Sequence, residues 1–239
     1  AAGKPNLNIF ANMPSVEGYD PFIPRDLLTV FGMMGSTESA EEETDPLTQE
    51  QKVDRLLANL NVLGMMSGKY IISGVKLENP ELRFLGEQTV SRFDIPVYIY
   101  DNNKALPRFY FAKEIVPMPG KNLSDLLKEG KKDFISRTYL DCGDCEVVRK
   151  NNKNSLWVIA QKNGFFEFNA QTSASGWLVI SENYLPGWSA KLDGLAKTII
   201  RANGSYMAIE IPAGEHKVTF AYNGLVGEAD ILKKLGIIK

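Results

Sequence analysis

The amino-acid sequence predicts an α+β fold that is mainly β, in which an α/β N-terminal part is followed by an antiparallel, jelly-roll-like β-sandwich. Many short strand-like segments separated by glycine turns fill the C-terminal part, a pattern typical of sandwiches and barrels. The N-terminal part combines an amphipathic helix with isolated apolar runs. A chain of 239 residues can bury a core in one or two domains. We therefore predict an N-terminal subdomain over 1–120, a connector over 121–150 and the sandwich over 151–239.

The first helices are predicted from apolar spacing and from capping residues. Residues 25–34 form a short helix candidate between two polar loops. Asp45 and Pro46 have the residue types of an N-cap and of a first helical position. Apolar residues at spacings of three and four then run from Val53 to Leu63. This spacing predicts an amphipathic helix with one apolar face.

Apolar runs predict the strands of the N-terminal part. Residues 69–75 and 96–102 are short apolar runs of the type found in buried strands. Residues 105–120 continue as strand, interrupted by prolines. A short helix is predicted over 122–130, where an Asn or Ser N-cap precedes an apolar run and a glycine ends it.

Six segments of the C-terminal part have the composition and spacing of antiparallel strands. They are residues 155–162, 164–172, 176–183, 196–202, 205–211 and 216–222. In the last segment Val218, Phe220 and Tyr222 lie on one face of a strand, whereas Lys217 and Thr219 lie on the other. This alternation predicts a sheet with one buried face and one solvated face.

Charge and hydropathy exclude several classes of protein. Lysine and arginine number 27 and aspartate and glutamate 29, so the formal net charge is −2. A nucleic-acid-binding protein normally has a basic excess or a basic stripe, and we predict no nucleic-acid partner. No segment approaches the about 20 consecutive apolar residues of a transmembrane helix.

The sequence offers little for catalysis. His216 is the only histidine that could serve as a catalytic base, and its place at a strand start favours a structural role. A glycosidase needs two carboxylates, and Asp20 and Asp193 are the best placed because both lie beside aromatic residues in loops. Asp193, however, precedes Gly194 in the usual signal for a hairpin turn. We assign no catalytic residue, no metal site and no cofactor.

Two cysteines, Cys142 and Cys145, form a C-x-x-C pair. Such a pair is a redox centre, half of a metal site, or a local disulfide. A redox pair usually opens a helix, whereas a turn and a strand are predicted here. A zinc site would need two further ligands, and the chain has one histidine and no other cysteine. A disulfide or two unpaired thiols remain, and a disulfide would fit an extracytoplasmic location.

The aromatic residues have two interpretations. Tyr184 and Trp188 stand beside Pro186 and Gly187 and would suit stacking on a sugar ring. The structural alternative is a corner between sheets, in which the proline fixes φ, the glycine adopts an unusual dihedral angle and the Trp188 side chain packs into the core. The other two tryptophans, at 157 and 177, lie in predicted strands and are predicted to be core residues.

The stretch 176–224 closely resembles the end of the extracytoplasmic region of the YfhO family, bacterial multi-pass membrane proteins related to the GT-C glycosyltransferases. Members typically have a Y-PGW…DG stretch followed by PAG-H-V-F-Y, and these occur here in order over 184–194 and 212–222. Further blocks similar to the family are "GYDPF" at 18–22, "LNVLGMMSGKYIIS" at 60–73 and "VYIYDNNKALPRFYFA" at 97–112.

The resemblance implies a function in cell-envelope glycan modification. Family members resemble enzymes that move a sugar from a polyprenyl-phosphate carrier onto an envelope polymer, with a catalytic carboxylate in the membrane part. The chain is then expected to be an accessory domain outside the cytoplasm, periplasmic or on the cell surface, of an intact protein in the plasma membrane. Its expected partners are a glycan or a polyprenyl-phosphate-linked sugar, and the membrane through segments outside this chain.

Three hypotheses follow for this domain. The first is an accessory domain that assists recognition of glycan or carrier, or that braces the membrane part. The second is a free-standing secreted carbohydrate-binding β-sandwich, and the third is a glycosidase. If binding occurs, we expect one cleft to be lined by the following residues: Tyr184, Trp188 and Asp193, with Tyr19, Asp20 and Arg108.

Overall fold

The computed structural model describes residues 48–90, 94–131, 133–145 and 153–224. Three helices and fourteen strands occur in this part of the chain, and almost all strand pairs are antiparallel. The prediction of a mainly β, α+β fold is confirmed. The chain divides into two compact units. The first unit runs to Arg108 and includes Asn122–Ser136, and the second contains Phe109–Lys121 and the residues from Arg137 onward.

The amphipathic pattern of the first unit forms two helices, α1 (Gln49–Ala58) and α2 (Leu60–Met65). Thr48 caps α1, and its side chain and that of Gln51 form a reciprocal capping box. The predicted cap, Asp45, lies outside the described residues, and the N-cap of the described helix is Thr48. The prediction of one continuous helix is wrong, since Asn59 interrupts it by bonding back to the Arg55 carbonyl.

A three-stranded antiparallel sheet completes the first unit, in the order β1-β3-β2. Its strands are β1 (Tyr70–Ser73), β2 (Leu82–Val90) and β3 (Ile95–Asn102). The segments 69–75 and 96–102 were predicted as strands, whereas β2 was not.

A short helix, α3 (Leu123–Lys128), begins with a capping box formed by Asn122 and Asp125. It agrees with the predicted helix over 122–130.

The second unit contains a five-stranded and a six-stranded sheet. The five-stranded sheet has the order β11-β10-β14-β8-β7 and the six-stranded sheet the order β4-β9-β13-β12-β6-β5. Their strands are β4 (Phe109–Phe111), β5 (Glu114–Pro117), β6 (Arg137–Leu140), β7 (Asn154–Lys162), β8 (Phe165–Thr172), β9 (Gly176–Asn183), β10 (Trp188–Leu192), β11 (Leu195–Lys197), β12 (Ile200–Ala202), β13 (Tyr206–Ile211) and β14 (Gly214–Tyr222).

Two features of these sheets differ from the sequence prediction. The segment 196–202, predicted as one strand, is two strands in different sheets, because the chain crosses from β11 to β12 at Thr198 and Ile199. In addition, β6 comes from the segment predicted as a connector, and it pairs with β5 in parallel. Strands β4 to β6 thereby extend the sheet of β9, β12 and β13.

The core of the second unit lies between its two sheets. Phe166, Phe168 and Phe220 of one sheet pack with apolar residues of the other, such as Ile180 and Ile209. The predicted alternation along β14 holds, since Val218 and Phe220 are fully buried whereas Lys217 is exposed. Burial of large side chains from both sheets identifies this unit as a β-sandwich.

A buried asparagine connects three parts of the six-stranded sheet. Asn203 is 0% exposed, has φ of +49° and follows β12 in a turn. Its side-chain oxygen accepts a hydrogen bond from the Tyr139 N–H (3.0 Å), and its own N–H donates to the Tyr139 carbonyl (2.6 Å). Its amide group donates to the Tyr110 hydroxyl at 3.1 Å. Desolvation of that hydroxyl raises the pKa of Tyr110 to about 12, although the residue as a whole is half-buried.

In the part of the chain that the structure describes, no helix has the length and apolar character needed to cross a membrane. The helices α1, α2 and α3 span ten, six and six residues.

Candidate functional site

Trp188 lies at the corner where the chain passes from the six-stranded to the five-stranded sheet. Its indole ring stacks on Phe166 at 5.7 Å between centroids and lies 5.4 Å from the ring of Tyr222. The side chain is half-buried against the sandwich core. This packing agrees with the structural interpretation of the Pro-Gly-Trp motif.

The backbone conformation and the close contacts at Gly187 explain why that corner contains a glycine. Its φ is +103°, a region that residues with a Cβ atom rarely adopt. A Cβ atom here would overlap the carbonyl oxygen of Gly224 and would lie 3.0 Å from the ring of Tyr222. The Gly187 carbonyl also accepts a hydrogen bond from the N–H of Asn223 at 2.9 Å. The close approach of two backbone segments therefore requires a residue without a side chain.

Tyr184 lies in the same connection and is 39% exposed. The guanidinium group of Arg201 stands over its ring, 5.3 Å from the centroid. Such a cation–π contact contributes about 0.5–1 kcal/mol at an exposed site. The backbone N–H of Tyr184 donates to the Ser205 carbonyl at 2.8 Å, which fixes the start of the corner.

Asp193 and Gly194 form the two-residue hairpin loop between β10 and β11, as predicted. Their φ values are +52° and +84°, the left-handed conformations that an Asp-Gly hairpin turn requires. One carboxylate oxygen of Asp193 accepts a hydrogen bond from the Lys217 N–H at 2.8 Å, and the other lies 2.7 Å from His216 Nδ1. The His216 hydrogen bond, followed by that from Lys217, holds the pKa of Asp193 below its ordinary value.

The residues predicted to share one cleft are not all brought together. Trp188 is the first residue of β10 and Asp193 follows its last residue, so five residue steps separate them by about 16 Å. Arg108 is half-buried and belongs to the first unit, whereas the other three described candidates belong to the second. Tyr19 and Asp20 lie outside the described residues.

A different groove lies on the outer face of the five-stranded sheet and has a volume of about 460 Å³. We call it the Trp157 groove. It is lined by Trp157, Asn169, Ala170, Gln171, Glu215, His216 and Lys217. Asp193 lies beside it, because its carboxylate contacts His216 and the backbone N–H of Lys217.

The register of three strands builds this groove. Trp157 of β7, Asn169 of β8 and Lys217 of β14 are cross-strand partners and form one row. Gln171 and Glu215 are partners in the next row, two residues further along. Alternate residues of a strand point to the same face, and the intervening Phe168 and Ala170 point into the core. The groove is thus about 10 Å wide and about 7 Å long between its rows.

Trp157 is 52% exposed, so its prediction as a core residue is wrong. The two-residue period of a strand would have indicated that the Trp157 side chain points outward. Leu156 packs against the core, and its neighbour therefore points outward. Trp177 is half-buried. Trp157, the most exposed tryptophan of the second unit, was predicted to be a core residue.

His216 has a structural role at the strand end, in agreement with its prediction. Its side chain is 14% exposed, and its Nδ1 atom contacts the Asp193 carboxylate. Its Nε2 atom is buried and has no hydrogen-bond partner among the described residues. A Cβ atom on Gly214 would lie 3.2 Å from Nε2, so the glycine accommodates the ring. The histidine thus fixes the hairpin against the strand that carries Lys217.

The His216→Ala variant is expected to raise the pKa of Asp193 towards its ordinary value of 3.8, because the largest contribution that lowers it is removed. In the native protein, the depressed pKa stabilises the fold above the unfolded-state pKa, and this stabilisation is lost as pH falls through the folded-state pKa. The measurement is a carboxyl NMR titration of both proteins at acidic pH. An identical Asp193 titration in the variant would contradict the assignment.

Cys142 and Cys145 form a disulfide, with Cα atoms 5.7 Å apart. In residues 48–90, 94–131, 133–145 and 153–224, no three His, Cys, Asp or Glu side chains cluster in a way that would hold a metal ion.

Comparison with known proteins gives a match for the segment that contains the Trp157 groove. No curated protein and no solved structure matches the chain. The three N-terminal blocks predicted to resemble the YfhO family, at 18–22, 60–73 and 97–112, lie outside the matched segment, and their resemblance stays a prediction. The resemblance predicted from the sequence is confirmed over residues 146–226, which match the family described as "Bacterial membrane protein YfhO".

Proposed function

We propose that this chain is an extracytoplasmic accessory part of a YfhO-like membrane glycosyltransferase and that its second unit binds envelope glycan in the Trp157 groove. The observation that carries the proposal is the exposed indole of Trp157 beside the side chains of Asn169 and Gln171. An aromatic face contacts the apolar face of a sugar ring, and amide groups both donate and accept hydrogen bonds to hydroxyls. Binding at this groove would hold the acceptor polymer close to the membrane part.

The family match supports the membrane association, because residues 146–226 belong to a segment found in a bacterial membrane protein family. The disulfide between Cys142 and Cys145 supports placement outside the cytoplasm. Disulfides persist in oxidising compartments and are rare in the reducing cytosol.

A free-standing carbohydrate-binding sandwich would use the same groove and differ only in lacking a membrane partner. The glycosidase hypothesis has less support, because both carboxylate oxygens of Asp193 are engaged by Lys217 and His216 in the hairpin. A general acid or nucleophile needs an oxygen that faces the substrate.

The Trp157→Ala variant of the 239-residue chain is expected to bind neutral oligosaccharides at least about tenfold more weakly than the unchanged chain. The reason is the loss of the aromatic contact surface. The measurement is a glycan array followed by isothermal titration with the best binder. Since Trp157 is exposed, the thermal unfolding midpoint should change little.

Tyr70→Ala is the matched control, because Tyr70 is an exposed strand aromatic of the first unit, with 63% of its surface accessible. It should leave glycan binding unchanged. Absence of any glycan binding by the chain, or equal loss in both variants, would refute the proposal. Equal binding to Trp157→Ala and the unchanged chain would place the glycan site elsewhere.

A further inference from the structure

The charges of the Trp157 groove are paired within the protein. Lys217 Nζ lies 3.1 Å from Oε1 of Glu167, which belongs to the neighbouring strand β8. Glu215 Oε1 accepts a hydrogen bond from Gln171 Nε2 at 3.3 Å. Asp193, beside the groove, is engaged by His216 and Lys217. Each of these ionic groups at or beside the groove thus has a partner in the protein.

The balance of these charges is unfavourable for an anion. Lys217 is the one lysine or arginine that lines the groove in the described residues, and Glu215, Glu167 and Asp193 lie at or beside it. A phosphate group would have to displace Glu167 from Lys217 and would then lie among three carboxylates. Like charges brought this close oppose binding.

The remaining groups suit an uncharged ligand with both apolar and hydroxyl-bearing faces. Trp157 supplies a flat apolar surface at the end of the row, and the exposed Asn169 amide stands one strand away. One strand spacing is about 4.8 Å, so a ring lying on the indole has its edge substituents near the amide. The side chain of Asn169 is exposed, and its amide is accessible to a ligand.

On this basis we infer that the groove takes an uncharged pyranose unit of a glycan and not the phosphate group of a polyprenyl-phosphate carrier. The inference rests on the proposed glycan-binding function and specifies its ligand. The apolar face of the ring lies on Trp157, and its hydroxyl groups face Asn169 and Gln171. Recognition of the carrier, where it occurs, uses another surface.

The test compares two matched series of ligands on the full 239-residue chain. One series consists of neutral hexose and N-acetylhexosamine oligosaccharides, and the other of the same oligosaccharides carrying a terminal phosphate monoester. Affinities are measured between about 0.01 M and about 1 M salt, over which the screening length falls from about 30 Å to about 3 Å. The indole N–H of Trp157 is followed by NMR, so that binding is assigned to the groove.

At least one neutral ligand is expected to bind, to shift the Trp157 indole signal and to keep its dissociation constant within about twofold across the salt range. Its phosphorylated form should bind no more tightly at any salt concentration. Trp157→Ala should abolish this binding, whereas Tyr70→Ala should not.

Tighter binding of the phosphorylated series, weakening about tenfold or more as salt rises, would overturn the inference but leave glycan binding in place. Failure of both series to bind, with no shift of the indole signal, would overturn the proposed function itself. The two failures are therefore distinguishable in one experiment.

Discussion

Replacing Gly187 with alanine is expected to lower the free energy of unfolding of the second unit by about 4 kcal/mol. Two causes add. The backbone at φ of +103° is strained for any residue with a Cβ atom, and that atom would overlap the Gly224 carbonyl oxygen. Relief of the overlap would separate the Gly187 carbonyl from the Asn223 N–H and would disturb the stacking of Trp188 on Phe166.

The measurement is urea unfolding followed by tryptophan fluorescence. The three tryptophans, at 157, 177 and 188, all lie in the second unit, so the signal reports that unit alone. Gly194→Ala is the matched control. Its φ is +84°, but nothing lies within 4 Å of the added Cβ, so only backbone strain of about 1–2 kcal/mol is expected. Equal losses in the two variants would show that the overlap at Gly187 contributes nothing.

The second large effect is expected at Asn203, where replacement with alanine should lower the free energy of unfolding of the second unit by about 3 kcal/mol. The substitution leaves the buried N–H of Tyr139 without its acceptor and removes one partner of the Tyr110 hydroxyl. It also places a Cβ-bearing residue without an amide at φ of +49°, where asparagine is tolerated better than alanine. The same fluorescence-monitored unfolding measures this loss.

Asn203→Gly separates the two causes. Glycine adopts the positive φ without strain but makes no side-chain hydrogen bond. We expect it to be destabilised by about 2 kcal/mol, less than the alanine variant. If glycine restored full stability, the hydrogen bonds to Tyr139 and Tyr110 would contribute nothing, and backbone conformation alone would explain the asparagine.

The fold class was predictable because the signals for it are local. Short apolar strands, Gly turns and the Asp193–Gly194 hairpin each depend on a few neighbouring residues. The division of 196–202 between two sheets was not predictable in this way. Its residues all have strand character, and only tertiary packing decides that the chain changes sheets at Thr198 and Ile199.

The candidate site was harder to predict than the fold, because it depends on register. Trp157, Asn169 and Lys217 are widely separated in sequence, and only the pairing of β7, β8 and β14 places them in one row. The sequence motif drew attention to Trp188, which packs against the core. Of the three candidates in the described part of the second unit, Asp193 is the one adjacent to the groove, since Trp188 is at the far end of β10 and Tyr184 lies beyond it in the preceding corner.

The pairing of β4 with β9 and of β6 with β12 has a consequence for how the family segment is defined. Residues 146–226 match the YfhO family, yet the six-stranded sheet also needs Phe109–Phe111 and Arg137–Leu140. A fragment that begins at residue 146 would leave one edge of β9 and one of β12 without hydrogen-bonding partners, and bare edges promote aggregation. The segment that matches the family is therefore shorter than the folded unit, and a working fragment must begin before β4.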